Sequence, residues 1–336
     1  MRGFRQTNNM IFKRITVLTL TLLSWICSAQ KTTILDSKSK IPIAYTTISF
    51  GDGQGIFADD EGAFIFTKNL YPDVDTLYIS ALSYKNVTIP TAQLPNTILM
   101  DEEISQLDEV ILIANNRKFK EETMEPYLDD DYYHCWLPTI ESEIAVYFSS
   151  PNDKLKKLST IHFPITLESR DWEQRKKKNA DKKPFSTLFK VKFYKNDNGK
   201  PGEVLVYDNI VFRATEKNGD SYELDVTDYN IIYPEKGFFV SLQVLGYTDK
   251  AGKLLPNKKY KELKGRDGSI VKIPTNFRPL LPFTNEIETH NTFVKRVFIN
   301  GNDWVQFKPG SMESSLLKTG LTNYGIGITY KVYKDE

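Results

Sequence analysis

Cysteine and histidine are scarce in this 336-residue chain, which has two of the first and three of the second. The three histidines, His134, His162 and His290, are far apart, and none stands in an HxxE or HExxH context. A zinc peptidase site, which needs clustered imidazoles and a carboxylate, therefore has no ligand set. Gly310–Ser315 lacks the closing glycine of a GxSxG nucleophile elbow and reads as a turn. The glycines of Gly51–Gly55 lie between strand-like runs, with no helix behind them to hold a phosphate. Basic surplus is also missing: the net charge is +1, which argues against a nucleic-acid partner. No window sustains a 3.6-residue apolar period. No catalytic residue, metal set or cofactor is expected, and the chain reads as a non-enzyme.

Long apolar runs are missing as well. The strongest, Ile15–Ile26, is shorter than the roughly 18–20 residues a membrane span requires. It follows Arg2, Arg5, Lys13 and Arg14 and precedes Cys27, Ser28 and Ala29, which is the order of a secretory signal peptide over residues 1–29. Cleavage after Ala29 is the leading reading. An uncleaved anchor is the alternative, and translation can start at Met1 or Met10. Losing the four basic residues of this segment turns the charge from +1 to −3. It leaves Cys135 as the one mature cysteine, without an intramolecular disulfide partner. Beside His134 but downstream of Asp129–Asp131, Cys135 lacks the electropositive setting of a reactive thiol and reads as a buried small apolar residue. The expected location is exported: periplasmic, outer-membrane-associated or on the cell surface.

What the sequence has in plenty is aromatic residues, 18 Tyr and 20 Phe, together with β-branched residues. Over residues 30–113 short runs alternate between turns: Thr32–Leu35, Pro42–Phe50, Ile56–Ala58, Ala63–Phe66, Asp75–Ser80, Lys85–Ile89 and Thr97–Met100. Seven strands at this spacing predict a small β-sandwich. Three segments in order, Asp36 to Ile48 around Pro42-Ile-x-Tyr-x-Thr, Gly55-Ile-Phe-Ala-Asp-Asp-Glu-Gly62-Ala-Phe64, and Asp75 to Tyr84, resemble the carboxypeptidase-regulatory-like domain of Bacteroidota envelope proteins. The resemblance implies a seven-stranded, transthyretin-like accessory fold with no peptidase site. Two departures are Lys40 and Ser83, where the family often carries glycine; the turn at Ser83 is expected to do without positive-φ freedom.

Ile104–Ile113 resembles the segment that joins this domain to the plug of TonB-dependent receptors. The residues that remain are too few for a 22-stranded receptor barrel. Residues 114–140 are polar and charged and read as a linker. From 141 to 336 strand-like runs return, as in Phe189, Val191 and Phe193 alternating with Lys190 and Lys192. They predict a second, jelly-roll-like β-sandwich, with Lys250–Thr292, interrupted by four prolines, as a long excursion between strands. This half resembles an uncharacterised jelly-roll region found after regulatory-like domains, which implies a fold and no site. The expected class is all-β throughout.

The acidic cluster Asp59–Glu61 reads as turn chemistry and Asp129–Asp131 as a solvated part of the linker, with calcium the lesser reading for both. The basic stretch Arg175–Lys178 with Lys182 and Lys183 reads as a solvated loop or a contact for an anionic surface. The candidate ligand-binding residues are two tryptophans. Trp172, in the polar run Glu168–Gln174, has the setting of a stacking platform for a sugar, and Trp304 reads either as core or as a second platform. The leading functional expectation is an exported, non-catalytic binding or interaction module, with a glycan or another envelope protein as partner. A carbohydrate-active hydrolase built on a carboxylate pair and a purely structural scaffold are the alternatives.

Overall fold

Side chains that alternate between apolar and polar build seven strands in the first part of the chain. They are β1 (Lys31–Asp36), β2 (Thr47–Ser49), β3 (Gly55–Phe57), β4 (Ala63–Ile65), β5 (Thr76–Ser80), β6 (Val87–Pro90) and β7 (Thr97–Met100). The computed structural model describes residues 31–103, 117–129, 131–169, 181–256, 261–265, 268–273, 275–299, 301 and 303–334. The leader segment 1–29, Ile104–Ile113, Arg175–Lys178 and Trp172 lie outside them. Two sheets, ordered β4-β1-β7 and β3-β2-β5-β6, face one another over Ile34, Ile48, Phe64, Leu77, Ile79 and Met100. The expected strand over Pro42–Phe50 is shortened to β2 because Tyr45 takes a φ of +54°.

Lys40 and Ser83 both adopt left-handed backbone, at φ values of +59° and +67°. The expectation that the Ser83 turn avoids positive φ is therefore corrected. The chain keeps the glycine-type geometry and bears the strain of a Cβ there. The acidic turn behaves as turn chemistry: Asp59 Oδ1 accepts from the backbone N–H of Glu61 at 3.0 Å and of Ala63 at 2.8 Å.

The second part contributes β8 (Phe119–Met124), β9 (Cys135–Trp136), β10 (Ser142–Phe148), β11 (Lys156–Pro164), β12 (Ser186–Asp197), β13 (Lys200–Val204), β14 (Ile210–Thr215) and β15 (Ser221–Asp225). It continues with β16 (Phe238–Tyr247), β17 (Lys261–Lys264), β18 (Ile270–Ile273), β19 (Leu281–Thr284), β20 (Thr292–Arg296), β21 (Val305–Gln306), β22 (Asn323–Tyr324) and β23 (Gly327–Tyr333). A seven-stranded sheet runs β13-β12-β16-β10-β20-β21, with β14 pairing the first half of β12. A four-stranded sheet, β15-β11-β23-β8, lies on the other side of the core. Tyr233 bridges the two, its ring 4.7 Å from Phe238 and 5.5 Å from Tyr330.

Residues 117–140 do not behave as a linker. β8 pairs with β23 along its whole length, and β9 pairs with β19, whose Leu281 and Phe283 are buried. Thus the Lys250–Thr292 excursion contains core-forming chain, including the β17–β18 hairpin. The expected single run Val204–Arg213 is two strands, β13 and β14, both laid along β12.

The two sandwiches meet at Phe298. Its ring lies 5.2 Å from that of Phe57, and its carbonyl accepts from Ser49 Oγ at 2.6 Å. Gly55 makes this approach feasible, because a Cβ there would sit 2.4 Å from both the Ile48 carbonyl oxygen and Phe298 Cδ1. Gly55→Ala is accordingly expected to cost about 1–3 kcal/mol through overpacking. Urea unfolding would show it, and an unchanged midpoint would contradict this packing.

Candidate ligand-binding face

In a two-sided strand, alternate residues point to opposite faces. On the seven-stranded sheet one face supplies Ile144, Val146, Val191, Phe193, Val240, Leu242 and Val294 to the core between the sheets. The opposite face carries Lys190, Lys192 and Tyr194 from β12, Phe239, Ser241 and Gln243 from β16, and Glu143, Ala145 and Tyr147 from β10. Phe293 and Lys295 from β20 complete it. The registers Lys190↔Gln243, Gln243↔Glu143 and Glu143↔Lys295 place these four in one row across the sheet.

This face is largely covered. Glu143, Lys190, Ser241 and Gln243 are all buried, and so are Tyr194, Phe239, Phe293 and Trp304, which pack together in a small aromatic cluster. Trp304 stands edge-on to Tyr194 at 5.4 Å, with Lys295 Nζ 5.9 Å from its ring centre. It is therefore placed as a packing residue of the face, its ring committed to protein neighbours. Trp172, the other sequence candidate, lies outside the described residues.

Glu143 is the centre of the polar group. Its Oε1 accepts from Tyr194 Oη at 2.8 Å and from Ser241 Oγ at 2.6 Å, and Lys192 Nζ lies 3.0 Å from Oε2. Burial works against the ionised carboxylate, but the Lys192 charge and these hydrogen bonds outweigh it and hold Glu143 below its ordinary pKa. Burial, and then the Glu143 charge, push the Tyr194 phenol well above its ordinary value. Lys190 moves the other way: burial and the neighbouring Lys192 ammonium bring it from 10.5 to about 7, with Glu143 opposing them.

Towards the β10–β20 rim, the same face opens into a cleft of about 350 Å³ lined by Tyr147, Phe293, Gln306, Lys308, Glu288 and His290. Its wall, the connection before β20, is locked in place. The buried Asn323 side chain accepts from Asn291 N at 2.7 Å and donates to the carbonyls of Ile287 at 3.2 Å and Thr289 at 2.8 Å. Gln306 Nε2 donates to the His290 carbonyl at 2.7 Å. On the floor, Tyr147 Oη donates to the Lys236 carbonyl at 2.9 Å and accepts from Asn196 Nδ2 at 3.3 Å. A smaller apolar crevice of about 130 Å³ sits between the sandwiches, among Phe57, Phe64, Tyr71 and Leu254. Only the larger falls in the usual size range of small-ligand sites.

The other sequence candidates have local tasks. Cys135 is buried, and its Sγ donates to the Asp131 carbonyl at 3.1 Å. Asp129 Oδ2 lies 2.6 Å from His134 Nδ1, and Asp131 Oδ1 accepts from Tyr133 N at 3.0 Å. Lys183 pairs with Glu168, to which Arg278 Nε also donates. Among the described residues no group of three or more His, Cys, Asp or Glu is placed to hold a metal ion, and no helix is long and apolar enough to cross a membrane. Sequence reasoning missed Glu143, Gln243, Tyr147 and Asn323. The one signal available was alternation, which marks a face without showing that it is covered or notched.

No family model and no curated protein matches this chain. Among solved structures it is similar to the cysteine protease and lectin-like domains of Cwp84, a surface-layer-associated protein of Clostridium difficile. The identity is 11% and the TM-score 0.30, over 63% of this chain and 36% of that one. It is also similar to the clostridial cysteine protease Cwp84 after propeptide cleavage, at 9% identity and a TM-score of 0.30, over 90% of this chain and 70% of that one. This chain thus spans about a third of the first. Such scores assign neither a family nor an activity.

Proposed function

We propose that this protein is an exported, non-catalytic binding module of the cell envelope, and that the cleft at Tyr147 and Phe293 seats a glycan. The observation that carries the reading is the preformed wall: Asn323 and Gln306 hold residues 287–291 in place before any ligand arrives. A ligand entering a rigid cleft avoids the ordering cost of shaping a loop. The lining suits a sugar, which presents hydroxyls and an apolar ring face. Tyr147 and Phe293 offer carbon surface, while Gln306, Lys308 and Glu288 offer polar groups. The signal-like leader supports the exported location.

The test is a glycan array on the purified protein, followed by calorimetric titration of any retained glycan. Tyr147→Ala is expected to weaken binding about tenfold or more, the loss of about 1.4 kcal/mol typical of a contact residue. Absence of any retained glycan, or an affinity indifferent to Tyr147, would overturn the reading.

A further inference from the structure

One buried donor on the covered part of this face, Gln243 Nε2, has no acceptor among the described residues, and the Lys190 side chain lies beside it. Lys190 is 6% exposed and has no hydrogen-bond or ion-pair partner among the described residues. Gln243, directly opposite it across β12 and β16, is 2% exposed, and its Nε2 is likewise without a partner among them. The amide orientation is fixed by Lys192, whose Nζ lies 3.4 Å from Gln243 Oε1. Flipping the amide would turn its NH₂ group against an ammonium. Buried donors are nearly always satisfied, so the unmet Gln243 amide beside the Lys190 ammonium marks a place where an acceptor belongs.

The charges agree. Lys190 and Lys192 face a single carboxylate, Glu143. Both oxygens of that carboxylate are already engaged, one by Tyr194 and Ser241, the other by Lys192. Lys295, the next residue in the row, adds a cation over Trp304. The row therefore carries uncompensated positive charge beside an unmet amide donor.

We propose that Lys190 and Gln243 form a binding site for a monoanionic carboxylate, one oxygen accepting from Lys190 Nζ and the other from Gln243 Nε2. Directly paired residues on neighbouring strands have Cβ atoms about 4.5–5.5 Å apart, a spacing that suits a two-oxygen acceptor. One negative charge offsets the Lys190 ammonium, which Glu143, already engaged by Lys192, leaves without a counter-ion. Lys192, 18% exposed on its side chain, places the site at the solvent side of the sheet. This site is separate from the glycan cleft, and its existence does not depend on that reading.

Sodium acetate is the probe, titrated calorimetrically into the purified full chain at constant ionic strength, with chloride and phosphate as comparisons. Saturable acetate binding is expected, at least tenfold tighter than phosphate. It should weaken at least tenfold in both Lys190→Met and Gln243→Leu and stay unchanged in Tyr147→Ala. Circular dichroism checks that each variant folds, and the second decides if the first does not. Acetate binding no better than chloride, phosphate binding equal to acetate, or an affinity that survives both substitutions each overturns the proposal.

Discussion

Lys190→Met is expected to stabilise the protein by on the order of 4 kcal/mol near pH 7 in chloride buffer, an unusual direction for a buried substitution. The reason is the ammonium. In the unfolded chain Lys190 titrates near 10.5, and in the fold at about 7. Between those values the unfolded chain holds the proton more tightly, so wild-type stability should rise with pH from 7 towards 10.5. The limiting slope is about 1.4 kcal/mol per pH unit. Below about pH 7 the penalty is fully present and the profile flattens. Methionine has comparable length, no charge to desolvate and no Lys192 to repel, so the variant should lose both the penalty and the slope. Urea unfolding at pH 6, 7.5 and 9 reads this directly. Parallel profiles for the two proteins would rule it out. A carboxylate bound beside Lys190 would shrink the difference, and so the same variants link stability to the proposed site.

Such a destabilising residue is what a working site would retain, since binding groups held ready for a ligand are strained without one. It also marks the limit of what sequence could disclose. The first sandwich was legible because its strands alternate cleanly between glycine- and aspartate-rich turns, and Asp59 has a local partner two residues away. In the second half, the alternation of Phe189, Val191 and Phe193 with Lys190 and Lys192 correctly separated two faces. Alternation says nothing about whether the lysine face is covered, and the fold buries Lys190 on it. Its neighbours across the sheet, Val211 on β14 and Gln243 on β16, come from distant sequence. Glu143 meets Tyr194 across 51 residues and Ser241 across 98, so no local pattern could announce the cluster. β8 was misread for a related reason. Its Phe119-Lys-Glu-Glu sequence is that of an exposed edge strand, and its partner β23 lies some 200 residues on. The positive φ at Lys40 and Ser83 was hidden because neither residue type advertises it.

Glu143→Ala should act in the opposite sense and cost about 3–5 kcal/mol, the range for removing one partner of a buried ionic group. Three donors, the Lys192 ammonium and the hydroxyls of Tyr194 and Ser241, lose their common acceptor. Lys190 also loses the one charge that favours its protonated form. Because the Glu143 pKa is lowered by folding, the stability it contributes is present above its ordinary value of 4.5 and is lost as pH falls through the lower folded value. The variant should therefore show a weaker loss of stability on acidification than the wild type. The two substitutions must also couple. With Lys190 already methionine, Glu143 has one fewer cation to neutralise, so its removal should cost less, by roughly 0.5–3 kcal/mol as contacting charged residues usually do. A double-mutant cycle by urea unfolding at pH 7 measures that difference. Strictly additive costs would mean that Glu143 serves Lys192, Tyr194 and Ser241 alone, and that the excess charge of the row falls on Lys190 without relief.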